Sequence, residues 1–340
     1  MINFTTLFDS FYLDKGLCLY KSLERVCDDF KLYIFCFDAK SKHVLEAEKL
    51  KNIEVLYCGD LEQKYPQLLE LKEERSKAEY CWTCTPASIE YVLDTYNIDN
   101  CTYIDADLYF FKNPSVLINE LNGSDKHIII TPHRFTDSVK DRYYLKRSGK
   151  YCVEFNYFDN SDVSREALKW WRERCFEWCY HKYEAERMGD QKYLEKFPIL
   201  FSGVHELENK GGGVAPWNLN QYRLSSISYG DNNTRYPILY DRKTKERFEL
   251  IFYHFQNIRY LSGTKVNISS ETNNKELKNS IYIPYLREIE DIRKYLKIKY
   301  NVTFSVKKTY SSNKIISFLQ GNMLRFKVKS ISDLIDLDKI

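Results

Sequence analysis

Two carboxylates stand one residue apart, Asp105 and Asp107, inside Tyr103-Ile104-Asp105-Ala106-Asp107-Leu108-Tyr109-Phe110-Phe111, where every other side chain is apolar or aromatic. Carboxylates are costly to keep charged in such surroundings unless a cation or hydrogen bonds compensate. Oxygen ligands with spare coordination positions suit Mg2+ or Mn2+, which take one or two protein carboxylates and complete their shells with phosphate and water. An ion held there could neutralise the charge that develops on a departing diphosphate. The plainer reading makes both aspartates solvated turn residues ahead of a helix near Pro114. Asp-x-Asp is common by chance; the preceding strand and the flanking aromatics set this one apart.

Phosphatases of the haloacid-dehalogenase type also follow a strand with Asp-x-Asp, the first aspartate acting as nucleophile. They place it on the first strand and continue with Thr or Val, whereas here three strand–helix units come first and Leu108-Tyr109 follows. A nucleotidyltransferase would want a glycine-rich loop after the first strand, and Phe8-Asp9-Ser10-Phe11-Tyr12 has no glycine.

The elements that must position the pair alternate. Phe4 to Phe8, Leu32 to Phe37, Ile53 to Tyr57 and Cys101 to Ile104 read as strands. Helical spacing runs from Asp14 to Cys27, Val44 to Leu50, Pro66 to Ala78 and Pro86 to Tyr96. Thr85 is the expected N-cap of the last of these, with Pro86 in its first position. Such alternation predicts an α/β fold with a mainly parallel sheet, and such sheets bind ligands beyond the carboxyl ends of their strands. Asp105 stands at one of those ends. Further on, the spacing predicts a short helix over Pro114 to Leu121, a strand over His127 to Thr131 and a helix over Asp162 to Tyr180. That helix has a core stripe of Leu168, Trp171, Cys175, Trp178 and Cys179. A strand is predicted over Ile251 to Phe255, and a helix over Ile283 to Tyr300 with core positions Tyr285, Ile289, Ile292 and Leu296. Asp231 to Arg235 reads as a turn, and a soft boundary falls at Ser262 to Asn274. The expected division is a domain over 1–265 and a helical, mildly basic appendage over 266–340.

The chain has 340 residues, 44% hydrophobic and 16% aromatic, enough for a sizeable core. A net charge of +3 is too balanced to suggest nucleic-acid binding. No signal peptide is legible at the start, and no stretch approaches the roughly 20 apolar residues a spanning helix needs, so a cytoplasmic location is expected. The ten cysteines are then read as reduced. Cys81-Trp82-Thr83-Cys84 has no second such pair to complete a zinc site.

Several segments resemble GT-A-fold glycosyltransferases, and within them the retaining enzymes of glycosyltransferase family eight. Thr6 to Tyr12 with Leu17 to Leu23 is similar to their donor-binding opening, and Tyr103 to Asp107 to their metal-binding strand end. Gly189-Asp190-Gln191 resembles their Asp-Gln pair, and Tyr253-His254-Phe255 their late histidine. Through Tyr80-Cys81-Trp82-Thr83-Cys84-Thr85-Pro86 and Val214-Ala215-Pro216-Trp217-Asn218 the chain also looks like bacterial glycosyltransferases encoded with surface-polysaccharide genes. The resemblance covers roughly residues 3–260.

It implies a GT-A fold and transfer of a sugar from a nucleoside diphosphate, a UDP-sugar first, to a glycan or lipid-linked glycan. Asp105, Asp107 and His254 would hold the Mn2+ or Mg2+, with Asp105 also near the ribose. Leu7, Phe8, Asp9 and Tyr12 would surround the base. Asp190 would bond donor-sugar hydroxyls while Gln191 faces the anomeric carbon. If configuration inverts, Asp190 or Glu154 would deprotonate the acceptor. Asn257 stands where family eight has a glycine and the diphosphate-binding lysine beyond it is missing, so Arg259 is the candidate to replace it.

Trp82 and Trp217 could stack on a sugar or base, although buried tryptophans are commoner. Gly211-Gly212-Gly213 lacks the Lys-Ser or Lys-Thr of a P-loop and is expected to form an acceptor-side loop that closes over the donor, anchored by Trp217. Arg75 and Lys77 could reach the donor, yet their segment reads mainly as a charged helix surface. Residues 271–340 carry a net +6, which could meet an anionic acceptor or the inner membrane surface; a solvated helical face is the plainer account. A non-catalytic nucleotide-sugar binder is the rival from another class.

Overall fold

A computed structural model describes residues 1–230, 233–261, 264–268, 274–304 and 334–340. The first half alternates as expected. Strands β1 (Ile2–Phe8), β2 (Phe30–Cys36), β3 (Ile53–Tyr57) and β4 (Asn100–Ile104) are separated by helices α1 (Leu13–Val26), α2 (Ala39–Glu48), α3 (Cys58–Lys64), α4 (Gln67–Glu74) and α5 (Lys77–Tyr96). Then come β5 (Leu108–Phe110), α6 (Ser115–Ile118), β6 (Ile128–Pro132), α7 (Val139–Ser148), β7 (Tyr151–Asp159), α8 (Asp162–Glu177), α9 (Phe197–Leu200) and β8 (Val204–Glu206). The remainder holds β9 (Tyr222–Tyr229), β10 (Arg235–Asp241), β11 (Arg247–Glu249), β12 (Phe252–His254), β13 (Arg259–Tyr260), β14 (Lys265–Asn267), α10 (Lys275–Leu277), α11 (Ile283–Tyr300) and β15 (Leu334–Asp336).

The main sheet has seven strands in the order β3-β2-β1-β4-β7-β6-β8. Pairing is parallel throughout except at β7, which runs against both β4 and β6. Its strands read as apolar runs because helices cover both faces. Along β1, Phe4 and Phe8 join one core with α1, β5 and α11, while Leu7 points into a second core with α5 and α8. Trp171 and Cys175 of α8 lie fully buried in that second core, with Cys179 just beyond the helix. Trp178 follows the helix end and is half-buried. All ten cysteines are free thiols.

The break between α4 and α5 differs from the expectation. Helix α5 starts at Lys77 and runs straight through Pro86, which is therefore interior, and Thr85 caps nothing. Ser76 is the N-cap: its hydroxyl accepts from the Glu79 N–H while Glu79 reaches back to the Ser76 N–H, a capping box. Proline forfeits one helix hydrogen bond. The box, together with burial of Cys84, Ala87, Ile89 and Val92, outweighs that loss.

The boundary expected near 265 falls inside β14, which pairs with β13 and β15. Helix α11 packs on α1, its expected core residues Tyr285, Ile289, Ile292 and Leu296 are buried in the first core, and Arg293 reaches Asp14 at 2.6 Å. Most of the segment 262–274, the start of the turn at 231–235 and residues 305–333 of the appendage lie outside the described residues. Among the described residues no helix is long and apolar enough to cross a membrane.

Candidate active site

The acidic pair and His254 meet because two short strands bring them together. Chain leaving β4 turns at Asp105, whose carbonyl accepts from the Leu108 N–H, and then enters β5. Strand β12 pairs antiparallel with β5, setting His254 opposite Leu108. The Phe255 N–H donates to the Asp107 carbonyl at 2.9 Å and closes the register. Apolar side chains drive this pairing: Phe110 and Phe252 are fully buried and in ring contact.

His254 Nε2 then lies 3.0 Å from Asp107 Oδ1 and 3.5 Å from Asp105 Oδ2, and its Nδ1 lies 2.6 Å from Glu154 Oε2. Asp107, His254 and Glu154 are buried, whereas the Asp105 side chain keeps 29% of its surface exposed. Tyr103 donates its hydroxyl to Asp105 Oδ1 at 3.1 Å.

Crowded carboxylates in a poorly solvated place respond in opposite senses. Burial, then Asp107 and Glu154, push Asp105 up to about 6 against the pull of His254. Burial also opposes charge on Asp107, but His254 and Lys15 overcome it and hold that carboxyl below its ordinary value. His254 is raised well above 6.5: burial disfavours its charge, and Asp107 and Glu154 more than compensate.

Asp105, Asp107 and His254 offer ligand atoms within 4.8 Å of one another, a mixed oxygen and nitrogen set suited to Mn2+ or Mg2+. Glu154 Oε1 is buried without a hydrogen-bond partner among the described residues. The other oxygen of this buried carboxylate bonds His254, so Glu154 sets the ring from behind and leaves Nε2 facing the aspartates.

These groups open into a cleft of about 870 Å³. Leu7, Phe8, Asp9 and Tyr12 line one wall, at the carboxyl end of β1. Tyr12 is 40% exposed and offers a ring face. Gly16 lies against the Phe8 ring, where a Cβ would come within 2.3 Å of it. Trp82, Asp190, Gln191 and Trp217 line it as well.

Asp190 is buried but does not cap the 3-10 turn it precedes. Burial, then Asp105, push it up to about 7. The Gln191 amide donates to the Ser148 carbonyl at 2.7 Å. Trp82 packs beside Gly189, whose φ of +56° suits glycine. Trp217 meets His254 edge-on at 5.4 Å and donates its indole N–H to the His133 carbonyl.

Two expected residues sit elsewhere. Glu154 lies behind His254, fully buried and outside the cleft lining, because β7 carries it beneath the β4 terminus, where its carbonyl accepts from the Asp105 N–H. Arg259 is exposed on β13 and does not border the cleft. Arg75 is likewise spoken for: its guanidinium donates to the Cys175 and Phe176 carbonyls, tying α4 to α8. Gly211, Gly212 and Gly213 are buried; a Cβ on Gly211 would come within 2.1 Å of the Glu249 carbonyl oxygen, so they serve close packing.

Sequence reasoning missed Lys15. Its Nζ lies 3.6 Å above the Tyr12 ring and 4.0 Å from Asp107 Oδ2. A lysine three residues past a cleft tyrosine on the first helix was the available signal. Strand β7 and helix α7 were missed as well. Alternation in Val153, Phe155 and Tyr157, and Ser138 capping a helix that ends at Gly149, would have shown them.

Fold and site together define an α/β protein with a mainly parallel mixed sheet and a cleft ending in an Asp-x-Asp and histidine cluster. No family model matches the chain. Two proteins of Bacillus subtilis (strain 168) do: the uncharacterized protein YfnF is 30% identical over 282 residues, 82% of this chain and 86% of that one. The uncharacterized protein YfnD is 29% identical over 293 residues, 85% of this chain and 88% of that one. The chain belongs to the family of YfnF and YfnD.

Among solved structures it is similar to a galactosyltransferase, LgtC, in complex with donor and acceptor sugar analogs, at 14% identity and a TM-score of 0.49, covering 75% of this chain and 87% of that one. Mouse xyloside xylosyltransferase 1 gives 15% and 0.44, covering 75% and 98%. The glycosyltransferase GlyE of Streptococcus pneumoniae TIGR4 gives 15% and 0.43, covering 63% and 46%. Likeness at this level identifies no activity.

Proposed function

We propose that this protein is a metal-dependent GT-A-type glycosyltransferase that moves a sugar from a nucleoside diphosphate, a UDP-sugar first, to a hydroxyl of a glycan or lipid-linked glycan in surface-polysaccharide synthesis. One observation carries the reading: Asp105, Asp107 and His254 converge at a cleft whose lining also holds Tyr12, Asp190 and Gln191. Mn2+ or Mg2+ held by those three residues would supply the charge neutralisation that a diphosphate leaving group needs.

The chain's own residues supply the rest. Tyr12 offers its ring to the base, with Leu7 and Phe8 as an apolar floor and Asp9 within reach of polar base or ribose atoms. Lys15, beside Asp107, adds a positive charge on the diphosphate side. Asp190, at about 7, is poised near neutrality to accept a proton from an acceptor hydroxyl or to bond the transferred sugar. Trp217 and Gln191 shut the far wall and limit water. With a lipid-linked acceptor, the net positive charge of residues 271–340 would favour anionic headgroups.

A phosphatase needs its first aspartate open to a phosphoryl group. Here His254 Nε2 lies within 3.5 Å of Asp105, which favours metal ligation instead. The test is a screen of nucleotide sugars with Mn2+ for release of nucleoside diphosphate, with Asp107→Ala as control. Turnover that depends on Mn2+ and vanishes in the variant is expected; equal turnover in both proteins would overturn the mechanism.

A further inference from the structure

A row of rings leads from the metal-site histidine along one wall of the cleft. His254 meets Trp217 at 5.4 Å, Trp217 meets His133 at 5.2 Å, His133 stacks on Phe135 at 4.8 Å, and Phe135 stacks on Tyr144 at 6.3 Å. The last ring stands on α7, where Tyr144, Arg147 and Ser148 share one helical face and all three border the cleft. Arg147 is half-buried, and among the described residues its guanidinium has no hydrogen bond or ion pair. That sets it apart from Arg75 and Lys72 on the same cleft, which are tied to carbonyls and to Glu62.

A guanidinium partly withdrawn from water and left without an anion calls for one. Its planar fork matches a carboxylate or phosphate bidentately. Phe135 and Tyr144, both partly exposed, offer aromatic surface just before it for the C–H face of a pyranose, with Lys140 Nζ 5.6 Å from the Tyr144 ring centre. The Gln191 amide holds the Ser148 carbonyl at 2.7 Å, so this wall is fastened directly to the Asp190–Gln191 segment.

From these observations we infer an acceptor subsite at Phe135, Tyr144 and Arg147 that takes a sugar bearing an anionic substituent, a carboxylate or a phosphate. This rests on the transferase reading, since it makes the far wall the acceptor side. The ring stacks on Phe135 and Tyr144 while Arg147 receives the charge, and the hydroxyl to be glycosylated lies towards Asp190.

The test is calorimetric binding of methyl β-glucuronide, methyl glucoside 6-phosphate and neutral methyl β-glucoside to the full chain with UDP and Mn2+ present. Wild type should bind one of the anionic probes at least about tenfold more tightly than the neutral one, and which probe wins separates carboxylate from phosphate. Arg147→Gln should reduce that preference to parity. Tyr144→Leu should weaken all three probes alike. Equal binding of the three, no binding of any, or a preference that survives Arg147→Gln overturns the subsite.

UDP affinity is read in the same proteins. A fall in Arg147→Gln would assign the arginine to the donor and overturn the inference. Failure of wild type to bind UDP with Mn2+, with the anionic preference intact, would remove the transferase reading and leave the sugar site standing.

Discussion

Glu154 Oε2 lies 2.6 Å from His254 Nδ1, and the carboxylate has no exposed surface. The contact fixes which nitrogen faces the aspartates, since an imidazole whose Nδ1 bonds a carboxylate presents Nε2 to the other side. Partners of this kind behind a metal-bound histidine typically contribute 10–100-fold in metal affinity. Glu154→Gln is therefore expected to weaken Mn2+ binding by about that factor, read by electron paramagnetic resonance of free Mn2+, with the circular dichroism spectrum unchanged. Wild-type affinity in the variant would mean that packing alone holds the ring.

Asp190 gives a pH signature. Its carboxyl is ordinarily near 3.8 and is raised to about 7 in the fold, by burial first and Asp105 second. Between those values the folded protein holds a proton that the unfolded chain has lost, so stability from this group falls as pH rises from about 4 to about 7. Asp190→Asn should accordingly be close to neutral in melting temperature at pH 4 and stabilising by a few degrees at pH 8. If Asp190 is the proton acceptor, wild-type turnover should rise through pH 7, and what activity the variant keeps should be flat. A wild-type profile without an inflection near 7 would exclude that role.

Why some of this was legible and some not follows from where the information lies. Buried parallel strands such as Leu-Tyr-Ile-Phe-Cys-Phe announce themselves as apolar runs, and Tyr285, Ile289, Ile292 and Leu296 are a plain helical stripe; these read correctly. Pro86 misled because a proline that usually opens a helix sits inside this one, and the stronger signal, Ser76 followed three residues later by Glu79, was passed over. Glu154 and His254 are 100 residues apart. No local spacing joins them, only the pairing of β12 with β5 and of β7 with β4. The place of Arg259 failed for the same reason in reverse: closeness in sequence to His254 did not survive the turn into β13.

Gly16 tests how the nucleotide wall is held. A methyl there would meet Phe8 Cζ at 2.3 Å, and the ring cannot retreat because Phe8 is itself buried in the first core. Overpacking of this kind typically costs about 1–3 kcal/mol. Gly16→Ala should lower stability by that amount in urea titration and raise KM for the donor more than it lowers kcat, since Phe8, Asp9 and Tyr12 move together. Unchanged stability would show that α1 shifts freely against β1.

Lys15 makes the last prediction one of opposite signs. Its ammonium lies 4.0 Å from Asp107 Oδ2 and 3.6 Å above the Tyr12 ring, on the side where a diphosphate would meet the metal. Towards a divalent ion it is a like charge; towards the diphosphate it is an opposite one. Unit charges about 4 Å apart interact by roughly 4 kcal/mol at an effective dielectric constant near 20, enough for either effect to be read after solvent has screened most of it. Lys15→Met should thus tighten Mn2+ alone several-fold and weaken UDP in the presence of saturating Mn2+ by tenfold or more. A variant that loses both affinities would mark Lys15 as a prop for Tyr12, and one that loses neither would place the diphosphate elsewhere in the cleft.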